Sequence, residues 1–239
     1  MYLINYQIFY SLENYLDMAA FDALSDQIRF ALAKNYTYFD VASTSQETLE
    51  NQDTVSVRRL RKQFLEKYSG NLDLQEANVL AKLSNSVTLG THLIVRGSDA
   101  YRNKHLNNHA TISIFSDQFS FLFDWINLQN CFSEYGRVIF WINEASQNTA
   151  LHCDYPPYFN HVIKDSFIWL TGDPPKQLMV KDPTTGEIHY SNARALIFDT
   201  NNYHASLAPP NYAAWSLRID GKFTDEFIQK TNLTKYLNS

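Results

Sequence analysis

The stretch Ala150-Leu151-His152-Cys153-Asp154-Tyr155, with the short apolar segments that follow it as far as Phe223, decides how this chain folds. After Asp154 come strand-like runs at Val162 to Leu170, Gln177 to Lys181, Glu187 to Tyr190, Ala193 to Phe198 and Ala213 to Asp220. Turn sequences separate them at Thr171-Gly172-Asp173-Pro174-Pro175, Asp182-Pro183-Thr184-Thr185-Gly186 and Pro209-Pro210-Asn211, where proline presets φ and glycine supplies the left-handed positions. Short strands at regular intervals predict a double-sheet jelly roll or cupin-like barrel. His152 and Asp154 stand two residues apart, so on an extended segment they share a face and an imidazole and a carboxylate can converge on one ion.

Upstream, Arg137-Val138-Ile139-Phe140-Trp141-Ile142-Asn143 is a β-rich run leading into His152, and Val87 to Val95 has strand character. Leu16, Met18, Phe21, Leu24, Ile28 and Leu32 recur at helical spacing and predict one helix stopping at Asn35. Further helices are expected over Val57 to Tyr68, Leu74 to Leu83 and Phe119 to Leu128, while the polar Ser43 to Thr54 reads as a loop. The expected fold class is α+β, mainly β: a jelly-roll core under an N-terminal helical layer. No linker or repeat interrupts residues 1–239, so one domain is expected. Residues 1–135 form its helical and edge-strand support region, 136–223 the β-barrel core and 224–239 a C-terminal tail or helix.

With 239 residues, 45% hydrophobic and 15% aromatic, the chain can bury a sizeable core. A net charge of -5 gives no general attraction to nucleic acid or anionic membrane. The basic residues Arg58, Arg59, Arg61, Lys62 and Lys67 are expected on a solvated helix face rather than a nucleic-acid surface. No apolar run is long enough to span a membrane and no signal-peptide pattern is present, so a cytoplasmic location is expected. Cys131 and Cys153 are read as buried hydrophobes rather than a disulfide pair.

The order His152-Cys153-Asp154, then His204, then Arg218 resembles the HxD…H…R signature of the Fe(II)/2-oxoglutarate-dependent oxygenases, which are built on a double-stranded β-helix. The resemblance implies that His152, Asp154 and His204 hold Fe(II), leaving positions for an oxo-acid and dioxygen, the pattern suited to two imidazoles and one carboxylate. It implies that Arg218, fourteen residues after His204, binds the distal carboxylate of 2-oxoglutarate, a task for a guanidinium fork. Ser216 shares the face of Arg218 and is a second donor to that carboxylate. Asp220 occupies a position where many family members carry a hydroxyl, and is expected to point outward or to hold Arg218 in place.

The implied activity is oxidative decarboxylation of 2-oxoglutarate to succinate and carbon dioxide, coupled to hydroxylation of an amino acid, a peptidyl residue or another small molecule. The acidic ligand Asp154 speaks against halogenation. Tyr155, Tyr158, Trp169 and Tyr203 flank the ligands as candidates for a substrate pocket. His161, Lys164 and His189 are competitors for the site, and His92, His105 and His109 are read as structural or surface histidines. The alternative is a cupin-like metal- or sugar-binding protein without oxidative activity, which the same fold would also serve.

Overall fold

The computed structural model describes residues 8–35, 40–45, 55–56, 86–97, 116–143, 149, 151–152 and 166–234, with backbone alone for 40–45, 55–56 and 86–91. Eleven strands are named among these residues: β1 (Phe9–Ser11), β2 (Asp40–Ser45), β3 (Val55–Ser56), β4 (Ser86–Arg96), β5 (Phe132–Asn143), β6 (Phe167–Thr171), β7 (Gln177–Lys181), β8 (Ile188–Ser191), β9 (Ala195–Phe198), β10 (His204–Leu207) and β11 (Ala214–Phe223). They make an eight-stranded sheet in the order β1-β9-β6-β11-β5-β4-β2-β3 and a three-stranded sheet in the order β10-β7-β8. Every pairing is antiparallel. This is the jelly-roll, double-stranded β-helix core expected from the turn spacing, with helices packed on the outside of its larger sheet.

Strict alternation on the central strands sorts side chains between two apolar clusters. From β11, Trp215, Leu217 and Ile219 join the cluster under the helices, as do Ile168 and Leu170 of β6 and Ala195 and Ile197 of β9. The intervening Phe167, Trp169, Leu196 and Phe198 face the other way and meet Leu178 and Val180 of β7. Both faces of these strands are therefore buried, which is why they read as unbroken apolar runs. Each fully buried large side chain contributes about 1.5–3 kcal/mol of transfer free energy.

The helical layer consists of α1 (Met18–Ala23), α2 (Ser25–Lys34) and α3 (Ser120–Leu128), the last preceded by a 3-10 turn over Ser116–Phe119. Asp17 caps α1 by accepting from Ala20 N–H at 2.9 Å. The single helix expected up to Asn35 is two helices joined at Leu24, whose N–H bonds to the Phe21 carbonyl. The break lets Phe21 meet both Trp125 and Trp215, at centroid distances of 4.9 and 5.9 Å, while Ile28 and Leu32 remain buried. A fourth helix, α4 (Asp225–Thr231), follows β11 with Thr224 as its cap and Asn232 in the left-handed region at its end.

The polar Ser43 to Thr54, expected as a loop, begins inside a strand: Asp40–Ser45 pairs with β4, and Val55–Ser56 pairs with it in turn. Strand formation here follows from the backbone ladder offered by β4, which overrides a polar composition. Strands from residues before 136 thus belong to the same sheet as those after it. The helices expected over Val57 to Tyr68 and Leu74 to Leu83, and the histidines His105 and His109, lie outside the described residues. No helix among the described residues is long and apolar enough to cross a membrane.

Candidate active site

Between the two sheets lies a small cavity of about 80 Å3 lined by Trp141, His152, Trp169, His204, Ser216 and Arg218 among others. A larger hollow of about 480 Å3 against α2 is lined by Asp26, Gln27, Phe30, Ala31, Lys34, Gln118 and Phe121. It brings together no histidine, cysteine or arginine, so chemistry and not volume marks the site.

One end of the cavity is set by a backbone contact. His152 and His204 form an isolated antiparallel bridge, with His152 N–H donating to the His204 carbonyl at 3.0 Å and His204 N–H to the His152 carbonyl at 2.7 Å. Directly paired residues send their side chains to the same face, and the two imidazoles stand 4.5 Å apart between ring centroids. The pairing extends to Thr149, whose N–H donates to the Ser206 carbonyl at 3.0 Å. Just before β10, the Asp199 carboxylate accepts from Asn201 N–H at 3.0 Å and fixes the turn that delivers His204.

His204 Nδ1 lies 2.9 Å from the Asn202 carbonyl. A carbonyl only accepts, so this contact puts the proton on Nδ1 and the ring's lone pair on Nε2, the arrangement found in metal-ligating histidines. Phe198 packs edge-on at 5.2 Å and holds the ring. Asp154, the expected acidic partner of this pair, lies outside the described residues, as do Cys153, Tyr155, Tyr158, His161 and Lys164. Among the described residues no three histidine, cysteine or acidic side chains cluster.

The other end is set by charge. Arg218 sits in the middle of β11, opposite Ile139 of β5 and Trp169 of β6. Its guanidinium carbon lies 4.1 Å above the Phe167 ring, and its Nε donates to Asp220 Oδ1 at 2.8 Å. The other Asp220 oxygen accepts from Arg137 Nε at 2.8 Å. Asp220 is completely buried. Of the two places expected for it, outward or holding Arg218, the structure has the second.

Sequence reasoning missed Lys176. It follows the Pro174-Pro175 turn that carries the chain from β6 in one sheet to β7 in the other, and its side chain is completely buried. Thr171 locks this crossing: its hydroxyl accepts from Lys176 N–H at 2.9 Å and donates to the Trp215 carbonyl at 3.1 Å. Lys176 Nζ donates to Ser216 Oγ at 3.1 Å and to the Trp141 carbonyl at 3.4 Å. Burial pushes this ammonium down to about 7. Among the described residues the buried charged side chains are Arg137, Lys176, Arg218 and Asp220. No pattern in a single sequence announces such a lysine, because lysines are almost always exposed.

Of the residues expected from sequence, His152, His204, Ser216, Arg218 and Trp169 converge on the cavity. Tyr203, just before β10, is not among its lining residues, and its carbonyl accepts from Lys181 N–H at 2.7 Å. His189 lies apart on β8, opposite Val180. His92 is buried against Trp141 at 4.9 Å, as a core histidine. Cys131 is a buried free thiol, pushed up to about 12 chiefly by its burial.

No family model matches the chain, and comparison with curated protein sequences finds no match. Among solved structures it is similar to a prolyl-4-hydroxylase from Pseudomonas putida, with a TM-score of 0.43 and 10% identity over 91% of this chain and 94% of the other. It is similar to a Trichoplax adhaerens prolyl hydroxylase, solved with a hypoxia inducible factor peptide fragment, with a TM-score of 0.37 and 14% identity over 91% and 95% of the two chains. A 2OG-Fe(II) oxygenase family protein from Burkholderia pseudomallei matches with a TM-score of 0.34 and 9% identity over 54% of this chain and 66% of the other. These scores and identities assign no activity to the chain.

Proposed function

We propose that the protein is an Fe(II)- and 2-oxoglutarate-dependent dioxygenase that hydroxylates an amino acid, a peptidyl residue or another small molecule. The observation that carries this proposal is the cavity itself, with two facing imidazoles at one end and a buried arginine beside a serine at the other. His152 and His204 would hold the metal with Asp154 as the third, acidic ligand, and Arg218 with Ser216 would receive the distal carboxylate of the oxo-acid. Two facing imidazoles, one with its proton fixed on Nδ1, suit a divalent ion, and the buried Arg218 guanidinium suits a carboxylate.

When bound, Fe(II), 2-oxoglutarate and dioxygen supply an oxidative decarboxylation that gives succinate and carbon dioxide and places one oxygen atom on a substrate carbon. The chain's own part is to position and to exclude water. Asp220 fixes the Nε edge of Arg218 from behind, so the guanidinium is preorganised rather than ordered by the ligand. Trp141, Trp169 and Phe198 keep the space between the two ends apolar, which strengthens the electrostatics at both.

Anaerobic addition of Fe(II) and 2-oxoglutarate should produce a metal-to-ligand charge-transfer absorption in the visible, and Fe(II)-dependent succinate formation should vanish in His152→Ala. Arg218→Ala should raise the 2-oxoglutarate requirement while leaving Fe(II) affinity nearly unchanged. Metal binding with no response to 2-oxoglutarate would instead assign the non-oxidative cupin-like alternative.

A further inference from the structure

Lys176 is a charged side chain with no carboxylate partner in the hydrogen bonds it makes, completely buried immediately behind the cavity wall. An ammonium can only donate. At 3.1 Å from Nζ, Ser216 Oγ must therefore accept, and its own proton has to be directed elsewhere. Ser216 is itself buried, lies on the face of β11 that carries Arg218, and lines the cavity. Because Ser216 lines the cavity together with Arg218 and the histidine pair, that space is within reach of its proton.

We propose that Lys176 is a positioning residue acting through Ser216: its ammonium makes the Ser216 hydroxyl a donor into the cavity and so tunes the site for the distal carboxylate of a dicarboxylic oxo-acid. The proposal rests on the assignment of 2-oxoglutarate as cosubstrate and goes beyond it by adding a buried cation that acts on the ligand only through Ser216. Were Lys176 to lose its proton, the neutral amine would accept from Ser216, and the hydroxyl would turn lone pairs toward the carboxylate instead. With the ammonium held at about 7 by burial, that reversal falls within the physiological range.

The groups facing this corner are known among the described residues. Arg218 and Asp220 come from β11, Arg137 from β5 and His92, packed on Trp141, from β4, while His152 and His204 line the same cavity as Ser216. The Trp141 carbonyl of β5 is the second acceptor for Nζ, and Thr171 of β6 accepts from the Lys176 main-chain N–H. Arginine does not titrate in this range, so a dependence on pH that disappears with Lys176 belongs to Lys176.

The test is calorimetric titration of the Fe(II)-loaded protein with 2-oxoglutarate under anaerobic conditions from pH 6 to 8.5, with 2-oxobutyrate as the probe lacking the distal carboxylate. Lys176→Met should weaken 2-oxoglutarate roughly 10- to 100-fold at pH 6, the scale of one charge-assisted hydrogen bond, and leave 2-oxobutyrate unchanged. In a Ser216→Ala background the same substitution should add less than about 3-fold, because the pathway through the hydroxyl is already gone. Wild-type affinity for 2-oxoglutarate should fall as pH rises through 7, and Lys176→Met should flatten that part of the profile.

Equal affinities and equal pH profiles in wild type and Lys176→Met would overturn the proposal, as would losses that multiply in the double variant. Should Lys176→Met fail to fold, a wild-type affinity that does not fall between pH 6 and 8.5 would overturn it alone. A wild-type protein that binds no 2-oxoglutarate at pH 6 would remove the cosubstrate assignment itself, a result distinct from all of these.

Discussion

The two ends of the cavity are built by different means. At the histidine end, geometry comes from the main chain: a reciprocal pair of backbone hydrogen bonds between His152 and His204 places the rings side by side, whatever the rings themselves do. At the arginine end, geometry comes from side chains: Asp220 bridges Arg137 and Arg218, and Lys176 braces Ser216. A backbone-built site tolerates loss of its functional group, because the scaffold does not depend on it. A side-chain-built site couples function to stability, since each buried charge is also part of the fold.

The sharpest way to break this comparison is to remove one group from each end. His204→Ala should reduce Fe(II) binding and succinate formation to background while leaving the far-ultraviolet circular dichroism unchanged and costing only about 1–2 kcal/mol of stability from the lost packing and hydrogen bond, since the bridge to His152 needs only the main chain. Asp220→Ala should lower stability and 2-oxoglutarate affinity together, because two buried arginines lose their shared counter-ion and Arg218 loses its support. A destabilisation of about 3–5 kcal/mol is expected by urea unfolding. Equal stability losses at the two ends would mean that the distinction is not real.

Lys176→Met sharpens the same contrast from the opposite direction, since it should weaken the anion site yet stabilise the fold. The folded-state value of about 7 lies below the ordinary 10.5, so the unfolded chain holds a proton that the folded chain gives up between those values. Stability therefore rises with pH across the window from about 7 to 10.5, and the burial cost is fully present below it. That depression corresponds to at most about 5 kcal/mol. A gain of about 2–3 kcal/mol in urea unfolding at pH 6 is expected, because methionine fills the volume of the stem but forfeits the hydrogen bond to Ser216. A variant no more stable than wild type at pH 6 would show that the ammonium is not destabilising.

The smallest effect belongs to the backbone of β11. The register shifts around Gly221, and a Cβ there would stand 2.5 Å from Phe132 Cδ1 and 2.7 Å from the Glu134 carbonyl oxygen. Gly221→Ala should cost about 1–3 kcal/mol in urea unfolding through overpacking. It should disturb Arg218, three residues away, more than the histidine pair, which would appear as a shift in 2-oxoglutarate affinity without one in Fe(II) affinity.

Much of this organisation was legible in the chain. Turn sequences separated the strands β6, β7 and β8, and alternation on Trp215-Ser216-Leu217-Arg218 predicted that Ser216 and Arg218 share a face, as they do. The Asp40–Ser45 strand was not legible, because its polar residues carry no pattern and it exists through pairing with β4. The single helix expected before Asn35 failed at Leu24 because periodicity continues through a break when both pieces bury the same face.

By itself the sequence offered the candidates, two histidines with an arginine and a serine two residues apart, and turns that predict short strands. Those are local properties, carried by residue type and a period of two. Only the tertiary structure decided that His152 and His204, 52 positions apart, are direct neighbours, that Asp220 faces inward to hold two arginines, and that Lys176 is buried behind Ser216. Each of these depends on which strands from distant parts of the chain lie side by side, and on how much water their packing removes from a charge.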